Sequence, residues 1–167
     1  MSIDKAAYWK QKLGLTPHVE GGAYSEIYRS GLVLPAAALT AGHTGDRNAM
    51  TSIYFLLEYG TFSAFHRIAS DELWHYYDGD TLCIYEIDTD GHLHRHLLGT
   101  AQGAAPFAVI SAGSWFGSRV EIQGGFTLCG CTVAPGFDFN DFELADRVDL
   151  GKRYPDHKRI INELTRP

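Results

Sequence analysis

Residues 60–80 read GTFSAFHRIASDELWHYYDGD, two strand-like runs separated by a short polar break. In TFSAFHRI and ELWHYYD, aromatic and β-branched residues favour extended backbone, and Asp78-Gly79 supplies a turn where the second run stops. His66 stands on the first run and Glu72 on the second. An imidazole and a carboxyl on adjacent strands can hold a metal, fix the strands through hydrogen bonds, or face a ligand.

The same texture extends in both directions. AYSEIYRS, MTSIYFLLEY, TLCIYEID, HLHRHLLG, FAVISA and GFTLCGCTVA are further strand candidates, punctuated by Asp90-Gly91, Gly113 and Gly124-Gly125. DTDGH, between two alternating runs, is the strongest hairpin signal. SIDKAAYWKQKL predicts a short helix with Ser2 as N-cap and Ala6, Trp9 and Leu13 on one face. PDHKRIINEL predicts a second, with Pro155 in its first turn. Residues 31–48 are irregular and are expected to form a mobile loop. Many short strands with two small terminal helices imply an all-β sandwich or barrel, and residues 1–167 are expected to form a single domain.

Composition narrows the function classes. At 45% hydrophobic and 20% charged residues the chain is ordinary for a globular protein. A net charge of −6, with no run of Lys or Arg, argues against a nucleic-acid partner. Cys83, Cys129 and Cys131 lie in apolar runs, and no second cysteine pair completes a tetrahedral zinc site with Cys129 and Cys131. Buried free thiols and a polar start, MSIDKAAYWKQKL, lead to the expectation of a cytoplasmic protein without a membrane partner.

The opening stretch resembles the first cupin motif, G-x5-H-x-H-x(3,4)-E-x6-G. Gly60, His66, Glu72 and Gly79 fall at its spacing, with Ile68 at the second His. The second motif is degenerate: in ISAGSWFGSRV, Ser111 stands at its Pro, Gly113 at a Gly and Phe116 at its metal-binding His. LTPHVEGGAYSEIYRS, TSIYFLL, SDELWHYYDGD and VAPGFDFNDFELAD are similar to signatures of the DUF985, or cupin-5, family. That resemblance implies a cupin double-stranded β-helix (jelly roll), often dimeric, and it implies no particular reaction.

Metal cupins draw two His and a Glu from the first motif and a His from the second. With only His66 and Glu72 remaining, fewer than the usual three protein ligands are present, so no metal and no cofactor is expected. A carboxylate facing an imidazole in an aromatic cavity can instead bind a polar ligand or act as an acid–base pair. His66, Glu72 and Tyr28 are therefore the candidate catalytic residues. Tyr24, Glu26 and Arg29, on a strand expected to cross the barrel mouth, are candidate ligand contacts, or else an edge strand with a surface Glu–Arg pair. Trp74, His75, Tyr76, Trp115 and Phe116 complete the ligand-binding candidates, with core packing as the alternative for the aromatic ones.

His92, His94 and His96 share one strand face and are assigned to an exposed stripe. Gly21 and Gly22 suit a turn with positive φ, and PGFDFNDFELAD is expected to close one barrel end with Phe137 and Phe139 on one face. The function expected is binding of a small polar metabolite, sugar-like or heterocyclic, in the barrel cavity. The alternatives are a metal-free epimerase or isomerase using His66 with a carboxylate and a Tyr, or a metal-dependent enzyme rescued by His75 or another pocket donor. An unpaired AYSEIYRS edge leads to the expectation of a homodimer.

Overall fold

The computed structural model describes residues 4–39 and 42–167. In chain order the strands are β1 (Thr16–Pro17), β2 (Ala23–Arg29), β3 (Val33–Leu34), β4 (Arg47–Asn48), β5 (Thr51–Glu58), β6 (Phe62–Arg67), β7 (Asp71–Gly79), β8 (Leu82–Ile87), β9 (Leu93–Leu98), β10 (Phe107–Ile110), β11 (Trp115–Val120), β12 (Phe126–Ala134) and β13 (Glu143–Leu144). The helices are α1 (Lys5–Leu13), α2 (Arg147–Arg153) and α3 (Lys158–Glu163). Two antiparallel sheets, ordered β1-β2-β5-β12-β7-β10 and β13-β6-β11-β8-β9, make the jelly roll. No helix among the described residues is long and apolar enough to cross a membrane.

Alternation along the strands sorts residues between the interior and the outer faces. Leu82 and Ile84 of β8 join the interior cluster with Phe55, Leu57, Trp74 and Phe116. Cys83, Tyr85 and Ile87 of the same strand face outward, where Leu150, Ile160, Ile161 and Leu164 of the C-terminal helical segment cover them. With both faces covered, β8 is apolar almost throughout rather than alternating with polar residues. On the other sheet, Ala6, Trp9 and Leu13 of α1 pack over Leu56 and Leu128.

Local signals account for most element ends. The Asp4 carboxylate accepts from the Ala7 amide at 3.1 Å, and Gly14 ends α1 in the left-handed region. The expected cap, Ser2, lies outside the described residues. In the β8–β9 hairpin the Asp88 side chain accepts from the amides of Asp90 and His92 at 3.0 and 2.8 Å. β11 was not among the expected strands, because Gly117 and Ser118 interrupt its alternation. α2, capped by Asp146, was also unexpected, and the second expected helix begins as a 3-10 turn over Pro155–His157. Residues 31–48 contain the β3–β4 ribbon.

Phe116 is 1% exposed, with its ring between His66 and Trp74. Phe116→Ala is expected to destabilise the fold by about 3–5 kcal/mol in chemical denaturation, as a cavity left in a packed core does.

Candidate functional site

One half of the interior is packed with hydrocarbon; the other is a cavity of about 330 Å³. His18, Glu20, Tyr24, Glu26, Arg29, His66, Glu72, Cys131 and the Phe137–Phe139 segment contribute to its lining. Cys131 and the Phe137–Phe139 segment were not among the site candidates read from the sequence, and neither were His18 and Glu20.

A tight turn over residues 18–22 places them. The His18 amide donates to the Gly22 carbonyl at 3.0 Å and the Gly21 amide to the His18 carbonyl at 3.1 Å. Gly21 has φ +120°, and a Cβ there would lie 2.0 Å from the Phe62 carbonyl oxygen. At Gly22, φ +70°, it would lie 2.8 Å from the Phe55 ring. Only glycine lets the chain pass this close to β6 and β5. The Glu20 carbonyl then accepts from the Ala64 amide at 2.8 Å, fixing the turn against β6.

Glu20 is the partner of His66. Its Oε2 lies 3.1 Å from His66 Nε2 and 3.6 Å from His18 Nδ1, while Oε1 accepts from Ser63 Oγ at 3.0 Å. His66 Nδ1 lies 2.7 Å from the Ala64 carbonyl, which can only accept, so the Nδ1 position carries hydrogen. Nε2 therefore meets the Glu20 carboxyl with one proton to share. Burial pushes Glu20 up to about 7, against the opposing pull of His18 and Ser63, and holds His66 down at about 4. Desolvation also lowers His18.

Glu72 faces the same cavity without touching His66 by any described hydrogen bond. Burial, reinforced by the Glu20 charge, pushes it up to about 8, and only the Cys131 side chain draws it back by hydrogen bonding. The expected His66–Glu72 pair is thus replaced by His66–Glu20, with Glu72 a separate neutral acid at ordinary pH.

The other candidates divide by strand geometry. Tyr24, Glu26 and Arg29 line the cavity, although strict alternation puts Arg29 on the opposite face. A bulge between Glu26 and Tyr28 shifts the register, bringing Arg29 to Glu26 and leaving Tyr28 49% exposed, outside the cavity. Trp74 and Phe116 point inward but fill the dry half, and Tyr76 packs beside them with its hydroxyl donating to the Gly79 carbonyl. Trp115, adjacent to inward-facing Phe116, necessarily faces outward, into the cluster under the C-terminal helices. His75 is outward for the same reason and lies against Phe107. The His92, His94 and His96 stripe pairs with Asp88 and Glu86.

A cupin metal centre does not fit these residues. Ile68 is buried in the interior cluster, and the Phe116 ring centroid stands 4.1 Å from that of His66. Among the described residues no group of three or more His, Cys, Asp or Glu side chains is placed to hold a metal ion. Hydrocarbon occupies the two missing donor positions.

The Glu20 and Glu72 carboxyls are raised above their unfolded values near 4.5. Their favourable contribution is complete below that value and is lost as pH rises through about 7 and 8. Glu72→Gln, which mimics the neutral acid, should melt higher than the parent above that range, and the difference should shrink toward acid. Thermal denaturation across pH measures this, and a difference that does not vary with pH contradicts the assignment.

Comparison with known proteins follows the geometry. A hypothetical protein from Leishmania major superposes with a TM-score of 0.87 at 34% identity, covering 97% of this chain and 99% of its own. A Shewanella oneidensis protein gives 0.86 at 38% identity, covering 100% and 99%. A cupin 2 domain-containing protein from Halorhodospira halophila shares the fold at 13% identity, with a TM-score of 0.55, covering 91% of this chain and 88% of its own. No curated protein matches. The model of the cupin superfamily family Cupin_5 (DUF985) matches residues 7–145, and the chain belongs to that family.

Proposed function

We propose that the cavity binds a small polar metabolite, sugar-like or heterocyclic. The observation that carries this reading is the convergence of His18, Glu20, His66 and Glu72 on one cavity beside a fully packed core. Buried titratable groups are costly to maintain, and their concentration in a cleft is characteristic of functional sites. The volume of about 330 Å³ falls in the range of small-molecule pockets, and aromatic walls with a few polar groups are their usual lining. Native mass spectrometry of the purified protein should reveal a bound small molecule. Its affinity should fall at least tenfold, about 1.4 kcal/mol, in both Glu72→Gln and His66→Ala. Unchanged affinity in both variants would make these residues structural.

A metal-free proton transfer is the second reading, favoured by the 3.1 Å contact between Glu20 and His66. Tyr24, which lines the cavity, replaces Tyr28 as the available phenol.

We also propose a homodimer formed along β2. On its outer edge β1 pairs only with Ala23 and Tyr24, and among the described residues no strand continues that pairing to Arg29. Ile27 and Tyr28 are about half exposed beside this open edge. An open strand edge with apolar side chains favours pairing with a second copy. Light scattering at micromolar protein should give twice the chain mass; a monomer mass contradicts it.

A further inference from the structure

Carboxyl groups outnumber guanidinium groups around the cavity. Glu20, Glu26, Glu72 and Asp138 line it against one guanidinium, Arg29. That guanidinium uses four of its five N–H groups within the protein: Nε and Nη2 donate to Glu26 at 2.9 and 2.7 Å, and Nη1 to Asn48 Oδ1 and the Phe137 carbonyl at 3.0 and 3.3 Å. Glu72, 8% exposed, lines the cavity, and the hydrogen-bonding group that draws its carboxyl back toward the ionised form is the Cys131 thiol. A carboxylate can accept from several donors, and a thiol is a weak one. Ring systems stand around the same space: His18 stacks on Phe139 at 6.3 Å, Phe139 meets Phe137 at 5.0 Å, and Tyr24 packs edge-on to His18 at 4.5 Å.

We infer that the cavity is built for a small organic cation, with the Glu72 carboxylate as its counter-ion, Glu20 as a second, and the rings of Tyr24 and Phe139 as walls. This deepens the proposed function and rests on it: the metabolite carries a protonated amine, an amidine or a cationic heterocycle. Carboxylates and aromatic faces both attract such a group, and desolvation strengthens both attractions. An inorganic cation is disfavoured because among the described residues no three donors are placed to hold one, and Ile53, Val133, Phe137 and Phe139 add hydrocarbon to the lining.

Binding then couples to protons. Sharing the cavity with Glu72 are Cys131 of the neighbouring strand β12, His66 of β6, His18 and Glu20 of the turn, Tyr24, Glu26 and Arg29 of β2, and Asp138. Before ligand enters, burial keeps the Glu72 carboxyl protonated, and the Glu20 charge adds to that effect. The arriving cation favours the ionised form, so the proton leaves to solvent as the ion pair forms. Affinity must rise with pH until the carboxyls are ionised in the free protein.

Isothermal titration calorimetry with choline and ethanolamine tests the charge class. The uncharged controls are the tert-butyl analogue of choline, carbon replacing nitrogen, and ethylene glycol; tert-butylacetate is the anionic control. At about pH 8.5 each cation should bind at least tenfold more tightly than its neutral analogue, the anion should not bind, and cation affinity should drop at least tenfold at about pH 6. Glu72→Gln should abolish the cation preference, with thermal denaturation confirming that it is folded. Equal or better binding of the neutral or anionic compounds, no binding of either cation at about 10 mM, or a preference that survives Glu72→Gln overturns the inference. So does stoichiometric zinc or manganese held by the parent and lost in Glu72→Gln. A co-purified neutral or anionic metabolite would remove the charge class while leaving the cavity as a ligand site, so the two failures are distinguishable.

Discussion

Glu20 and His66 are 7% and 3% exposed, and their contact joins a non-repetitive turn to the wall of the jelly roll. Neither side chain can be left alone in that position, because an orphaned buried polar group costs about 1–3 kcal/mol. Each supplies what the other lacks: one imidazole lone pair, one carboxyl proton. The Ala64 carbonyl fixes the ring by its other nitrogen, and Ser63 occupies the other carboxyl oxygen. The two glycines that follow Glu20 exist in service of this contact, since any side chain there would hold the turn away from β6 and β5.

The interior is divided around that contact. Phe116 lies against one side of His66 and continues into the Trp74 and Phe55 packing, so the ring is the last polar member of an otherwise dry region. On its other side the space opens onto Glu72 and the mouth. The mouth is itself braced: Arg47 holds Asp141 through two hydrogen bonds of 2.5 Å, and the Phe137 amide donates to Thr51. Replacing two metal donors by Ile68 and Phe116 has thus extended the core into the place of a metal, leaving charge and proton chemistry in the remainder.

Much of this was legible in the sequence, for physical reasons that differ by residue. Motif spacing and the Asp90-Gly91 hairpin identified the fold because turn chemistry and strand alternation are local. His66 and Glu72 stood out for the same reason. Glu20 and His18 did not, because HVEGG has no periodicity and its side chains are aimed by tertiary contacts; the paired glycines were the available signal. Trp115 and Phe116 could have been separated by alternation alone, since adjacent strand residues face opposite ways. The bulge that exchanges Tyr28 for Arg29 has no such signature in AYSEIYRS.

The turn at residues 18–22 contributes His18 and Glu20 to the cavity, yet none of its residues lies in a strand of either sheet. Scaffold and chemistry are therefore separable in this chain. The glycines and the backbone path belong to the scaffold, while the side chains at 18 and 20 reach the cavity from outside either sheet. Residues 18 to 20 thus set part of the cavity's chemistry from outside the strands that form its walls.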